Sequence, residues 1–298
     1  MIISASRRTD IPSYYSDWFF NRIKEGFVLV RNPMNFHQVS RIKLTPDVVD
    51  GIVFWTKNPL PMLGRLGELK EYAYYFQFTI TPYGKDIEPN LPQKCDELIP
   101  IFKRLSGIIG ADRVIWRYDP ILLNSKYTID YHIRAFEKIA RELHNYTRRV
   151  TFSFIDTHYR GVKNNANALA LSNISFEAKT QLAASLALIA QSYNLKIDAC
   201  AEEIDLARFG IDRARCIDGG FFEQMHKKDK NQRLQCDCSS SIDIGMYNTC
   251  PGSCRYCYAN YSAGSIMGNC AKHSLLSALI SGDIVGNDKI SERGVNRR

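Results

Sequence analysis

Short β-branched and aromatic runs alternate with longer stretches of helical period along most of this 298-residue chain. That alternation is the pattern of a parallel sheet covered by helices, so the expected class is α/β. Strands are expected at 2–6, 51–56, 74–81, 114–118, 150–155, 196–201 and 241–245. Three helices stand between them. Residues 128–144 place Ile129, Ile133, Phe136, Ile139, Ala140 and Leu143 on one stripe, with Asp130 in the first turn where the helix dipole favours it. Residues 176–192 repeat the stripe with Leu182, Leu186 and Ile189, and 94–108 with Leu98, Phe102 and Leu105. The runs at 27–30 and 38–44, separated by Arg31 to Pro33, read as a hairpin inserted into the main pattern. No repeat, low-complexity tract or linker marks a boundary. The expected organisation is one barrel-like (β/α) domain over 1–286, followed by a basic, flexible tail over 287–298.

In a (β/α) barrel the loops leaving the C-terminal ends of the strands line one mouth, and chemistry collects there. The expected strands end in polar groups: Ser6, Arg7, Arg8, Thr9 and Asp10; Thr56, Lys57 and Asn58; Thr79 and Thr81; Arg117 and Asp119; Asp156 and His158; Cys200, Glu202 and Glu203. Asp10 before Ile11-Pro12 also suits a helix N-cap, and Asp119 before Pro120 a turn. Adjacent Arg7 and Arg8 at a strand end call for an anion.

Residues 242–260 carry the sharpest signal. Cys250, Cys254 and Cys257 stand there at Cys-x3-Cys-x2-Cys spacing. Three thiolates on one short loop suit three irons of a cubane four-iron four-sulfur cluster and leave the fourth iron open to a ligand. A structural zinc loop is the alternative, though zinc loops usually present cysteine pairs in two arms.

The chain has nine cysteines, and its start has charges where a leader peptide needs an apolar run, so a reducing, cytoplasmic setting with no membrane span is expected. In that setting metal ligation accounts for many cysteines better than disulfides do. Cys200, Cys216, Cys236 and Cys238 form a second candidate set, suited to tetrahedral zinc, to a fully ligated second cluster, or to no metal at all as buried thiols. Cys95 falls in an expected helix as an ordinary thiol. Cys270 is either a buried cysteine or a catalytic hydrogen-atom donor. The net charge of +8 is compatible with a nucleic-acid partner, but the charges are dispersed and equally suit a solvated basic surface.

The cysteine loop, with Tyr256 just before its third cysteine, resembles the radical S-adenosylmethionine enzymes, and its wording is most similar to their spore photoproduct lyase branch. The segments Ser4-Ala-Ser-Arg-Arg-Thr-Asp-Ile-Pro12, Phe54-Trp-Thr-Lys-Asn-Pro59, Phe78-Thr-Ile-Thr-Pro-Tyr83, Glu88-Pro89 and Trp116-Arg-Tyr-Asp-Pro-Ile121 resemble a bacterial family known as domain of unknown function 1848. In the lyase-like enzymes the cysteine loop comes first and is followed by Thr-Asp, Thr-Lys-Ser, Thr-rich and Glu-Pro segments. Here those segments come in the same order from the N-terminus and the cysteine loop comes last, with Asn58 where Ser is usual.

This resemblance implies a circularly permuted partial (β/α) barrel in which strands 241–245 and 2–6 are neighbours. It implies a 4Fe-4S cluster on Cys250, Cys254 and Cys257, and S-adenosylmethionine as cofactor. By position, Thr9 or Asp10 would meet the cofactor's amino group, Lys57 or Arg117 its carboxylate, and Tyr256 its adenine. An electron donor such as flavodoxin or ferredoxin would serve as partner, and the substrate, nucleic acid included, is left open. Two rivals remain: a zinc-stabilised nucleic-acid-binding protein without catalysis, and an iron-sulfur redox or sensor protein.

Overall fold

The computed structural model describes residues 1–225 and 227–293. Its strands are β1 (Ile2–Ala5), β2 (Phe27–Asn32), β3 (Asn35–Lys43), β4 (Gly51–Thr56), β5 (Tyr74–Thr79), β6 (Val114–Ile121), β7 (Arg149–Phe154), β8 (Lys196–Ala199), β9 (Asp212–Arg213), β10 (Ile242–Asp243) and β11 (Lys289–Glu292). Eight of them form one sheet in the order β10-β1-β4-β5-β6-β7-β8-β9. Every pairing in it is parallel. The first and last of the expected strands lie side by side, with Ile3 opposite Ile242 and Ser4 opposite Asp243.

The two faces of the sheet are sorted by the two-residue period of its strands. Ile3, Phe54, Phe76 and Trp116 face the larger core under the helices. Their alternates Ile2, Val53, Tyr75 and Ile115 face a smaller cluster with Ala214, Cys216, Ile217, Phe222, Cys236 and Cys238. Burial on both faces explains why these strands read as nearly continuous apolar runs. Tyr75 and Gln77 pin the covering segment by donating to the Cys216 carbonyl, at 2.8 and 2.9 Å.

Helix caps match the sequence. Thr128 caps the helix Ile129–Leu143 by accepting from the Tyr131 N–H, and Ser175 caps Phe176–Ser192 by accepting from Ala178. These two helices pack against each other. The third expected helix begins as a π-helical turn, Lys94–Leu98, and continues as Ile99–Ile109.

β2 and β3 form the expected antiparallel hairpin, and β11 adds to β3 in parallel. Residues 287–293 of the expected flexible tail are therefore tied to the fold instead. Lys289–Glu292 are a strand, and Asp288 holds the Arg31 guanidinium with both carboxylate oxygens, at 2.7 and 2.8 Å. Residues 294–298 lie outside the described residues. The helices Ser16–Glu25 and Ala263–Ala271 are additions to the elements expected from the sequence. Among the described residues, no helix is long and apolar enough to cross a membrane.

Candidate metal and cofactor centre

A cavity of about 280 Å³ opens where the eight strands end. β1 sends Ser6 to Asp10 into its wall, β4 sends Thr56 and Lys57, and β5 sends Thr79. Arg117 and Asp119 of β6, Ser153 and Phe154 of β7, and Cys200 just past β8 continue the wall. Cys216 follows β9, and the loop after β10 supplies Cys250, Cys254, Tyr256 and Cys257. Most of the polar strand ends expected to form one cavity thus meet around it, but Asn58 and Thr81 are not among its lining residues, and His158, Glu202 and Glu203 line a second pocket that shares Asp156 with it.

The three-cysteine loop is held from both ends. The Asn260 side chain donates to the Cys250 carbonyl at 2.6 Å and accepts from the Cys250 N–H at 3.4 Å. Asn248 sits at φ 54°, a left-handed conformation that asparagine tolerates, and its side-chain oxygen accepts from the Tyr261 N–H at 2.9 Å. Gly161 lies so close that a Cβ on it would stand 2.0 Å from the Cys257 carbonyl oxygen. Glycine there lets a neighbouring helix touch the loop backbone.

Burial pushes the Cys250 thiol up to about 12, raises Cys254 well above the ordinary value and raises Cys257 as well. Opposing this, the Asp10 and Gly252 amides reach Cys250, the Ala259 and Asn260 amides reach Cys257, and Lys57 acts on Cys254 by charge. Amide and cation donors around buried thiols favour thiolates, the form that binds metal. The Thr9 hydroxyl, on the same cavity, is buried without a hydrogen-bond partner among the described residues. Three thiols, their amide donors and an unsatisfied hydroxyl on one cavity fit an iron-sulfur cluster with a polar ligand beside it.

Two charged networks flank the loop. Glu88 is fully buried and binds Lys57 at 2.8 Å and Lys94 at 2.6 Å. It also accepts from Thr81 Oγ1 and from the Tyr256 hydroxyl. Burial alone would raise its carboxyl, but the charges of Lys57 and then Lys94 hold it down at about 2. Asp10 caps the short helix Ile11–Tyr14 through Ser13 and accepts from the Lys57 N–H at 2.7 Å. Burial lifts the Asp10 carboxyl to about 6, so it is mostly ionised at neutral pH. Arg117 donates to Cys216 Sγ at 3.0 Å and pairs with Asp119, which also accepts from Ser153. Its guanidinium therefore has partners within the chain, as does the Lys57 ammonium.

Thr9, Asp10, Lys57, Arg117 and Tyr256 all line the cavity with the three cysteines. So do Cys200, Cys216, Cys236 and Cys238. Cys270 is not among its lining residues. Its thiol meets the Thr249 carbonyl at 3.3 Å and the Tyr15 hydroxyl at 3.6 Å. Cys95 is exposed. Among the described residues, no three His, Cys, Asp or Glu side chains form a group placed to hold a single ion.

Two carboxylates of the site have no role assigned from the sequence: Glu88, legible there only as part of a Glu-Pro segment, and Asp243. Asp243 accepts from Ser4 Oγ at 2.8 Å, Ser6 Oγ at 2.6 Å, the Arg7 N–H at 2.8 Å and the Gly245 N–H at 3.0 Å. A carboxylate in a strand that ends in glycine was the available signal. A Cβ on Gly245 would lie 2.1 Å from Ser6 Oγ, so only glycine lets the two strand ends approach this closely.

Fold and site together define an α/β protein with a cysteine-rich cavity at the C-terminal ends of a parallel sheet. The chain belongs to the family described as Domain of unknown function (DUF1848), whose profile matches residues 2–259. That span contains the whole eight-stranded sheet and all three cysteines of the loop. No curated protein matches the chain.

Proposed function

We propose that this chain is a radical S-adenosylmethionine enzyme whose 4Fe-4S cluster is held by Cys250, Cys254 and Cys257. One observation carries the reading: the three thiols share a cavity with side chains of both charges, Asp10 and Lys57, at adjacent strand ends. The eight-stranded sheet is then a partial (β/α) barrel, circularly permuted so that the cluster-bearing strand β10 closes the chain beside β1. When bound and reduced, the cluster would supply the electron that cleaves the cofactor's carbon–sulfur bond and yields a 5′-deoxyadenosyl radical.

The chain's own residues would orient and enclose the reactants. Asp10, ionised at neutral pH, offers an acceptor for the cofactor's amino group. Lys57 places positive charge beside Cys254, suited to the carboxylate. Thr9 offers an unsatisfied hydroxyl, and Tyr256, anchored through Glu88, offers a ring edge and backbone to the adenine. The cavity wall, rich in Trp55, Leu91 and Phe154, limits water around the reacting carbon. Nucleic acid is the first substrate class to try, with an electron donor of the flavodoxin or ferredoxin kind.

Anaerobic reconstitution tests the reading. The expected protein is brown, holds about four irons at the loop, loses them in the C250A/C254A/C257A variant, and releases 5′-deoxyadenosine from S-adenosylmethionine with dithionite. Colourless protein with zinc alone would establish the structural rival. A loop cluster that binds no S-adenosylmethionine would leave an electron carrier or sensor.

A further inference from the structure

The loop cysteines use three of the seven thiols on the cavity. The other four arrive from separate segments: Cys200 after β8, Cys216 after β9, and Cys236 and Cys238 from the stretch that leads to β10. Cys216 and Cys200 sulfurs stand 3.5 Å apart, and Cys236 and Cys238 share the smaller core with Cys216. All four are free thiols on one cavity, and among the described residues no three of them stand around a single point, so a bound metal would have to draw them together.

Buried thiols alone need no explanation, because cysteine packs as a small apolar residue. The cations around these four do need one. Arg117 is buried and aims one nitrogen at Cys216 Sγ at 3.0 Å. Arg7 also faces the group: burial opposes its charge, and Asp243, then Cys238 and Cys216, favour it. Among the described residues its guanidinium has no carboxylate within salt-bridge distance, and its own polar contact is Ser241 Oγ at 3.4 Å. Trp55 takes both guanidinia against its ring, at 5.8 Å for Arg7 and 5.2 Å for Arg117. With Asp119 set against Arg117, the Arg7 guanidinium is left, among the described residues, without a direct ion pair on the cavity that the four thiols line. A metal held by four deprotonated sulfurs would bring net negative charge into this buried wall, and two guanidinia on the same cavity would offset it.

We propose that Cys200, Cys216, Cys236 and Cys238 ligate a second metal centre, separate from the three-cysteine loop, with Arg7 and Arg117 as its charge partners. Its chemistry is tetrathiolate ligation of a thiophilic metal, supplied either as zinc or as iron with sulfide. Four protein ligands leave no metal position open. The centre therefore binds no cofactor. As zinc it braces the segment that covers the face of the smaller core, and as an iron-sulfur cluster it also offers a site for single electrons on the same cavity.

The full chain carrying C250A/C254A/C257A is purified anaerobically and assayed for zinc, iron and sulfide. The expected result is about one zinc, or about four irons with matching sulfide, still bound per chain. The element found identifies the source. Adding C216S should remove that metal, and C200S, at a less buried position, provides a second variant should C216S fail to fold. Absence of stoichiometric metal from the folded triple variant, or its full retention in a folded C216S or C200S addition, overturns the proposal. If instead the loop binds nothing, wild type and triple variant carry equal metal, so failure of the radical-enzyme reading is distinguishable from failure of this one.

Discussion

Ser6 donates its hydroxyl to Asp243 at 2.6 Å across 237 positions of sequence, joining the end of the first strand to the last strand of the sheet. The same carboxylate takes Ser4, the Arg7 amide and the Gly245 amide, so the two strands that flank the cysteine loop share one acceptor. A partly buried carboxylate satisfied by four donors is a rigid joint.

Asp243→Ala should strip four donors of their acceptor at once. The expected loss is roughly 3 kcal/mol of stability in denaturant unfolding, with Asp243→Asn recovering part of it. A loss under about 1 kcal/mol would show that water replaces the carboxylate and that the joint contributes little.

Gly161 is tested by addition of one methyl group. Gly161→Ala forces a shift between the helix and the Cys257 backbone, because its Cβ would lie 2.0 Å from that carbonyl oxygen. The expected outcome is folded protein with reduced metal content at the loop, read by absorbance and iron analysis after reconstitution. Wild-type iron content would mean that the helix Arg160–Asn164 shifts instead and the loop does not depend on it.

His132 makes stability fall in acid. It is fully buried, its ring nitrogens pairing with the Tyr118 hydroxyl at 2.8 Å and the Leu122 carbonyl at 2.9 Å, and burial lowers its pKa to about 4. The unfolded chain binds a proton near 6.5 and the folded chain does not, so the neutral-state stability is intact above 6.5 and declines as pH falls toward 4. The contribution amounts to roughly 3 kcal/mol at its limit. Unfolding midpoints from pH 7 to 4 should fall more steeply for wild type than for His132→Gln, and parallel slopes would remove His132 as the cause.

The alternating runs made the parallel sheet legible because strands buried on both faces, such as Ile52-Val-Phe54, are continuously apolar in sequence. The two-residue strand β9 leaves no such trace, whereas the equally short β10 falls within the expected run 241–245. β9 leads into the segment around Cys216 that is pinned to Tyr75 and Gln77, which is a tertiary fact. The helix Ser16–Glu25 is hard to read from sequence because its polar face masks Trp18, Phe19 and Phe20 as a core stripe. In the site, residue types at strand ends were readable, and the pairing among them was not. Lys57 with Glu88, and Arg117 with Asp119 and Cys216, depend on register and loop path, which residue type does not encode.

The Lys57–Glu88–Lys94 set separates a cofactor role from a structural one. Two lysines share one carboxylate, so the set carries a surplus positive charge, and of the two lysines only Lys57 lines the cavity. Both alanine variants remove one cation from Glu88 and should disturb its burial similarly. Lys57→Ala also removes the charge beside Cys254, where the cofactor's carboxylate would lie. Deleting a charge-assisted hydrogen bond in a partly enclosed site weakens binding by about tenfold or more. S-adenosylmethionine affinity, measured on reconstituted protein by equilibrium dialysis, should therefore fall about tenfold in Lys57→Ala and change less than about twofold in Lys94→Ala. Equal losses in both variants would trace the effect to Glu88 and the packing of Tyr256, leaving Lys57 without direct contact to the cofactor.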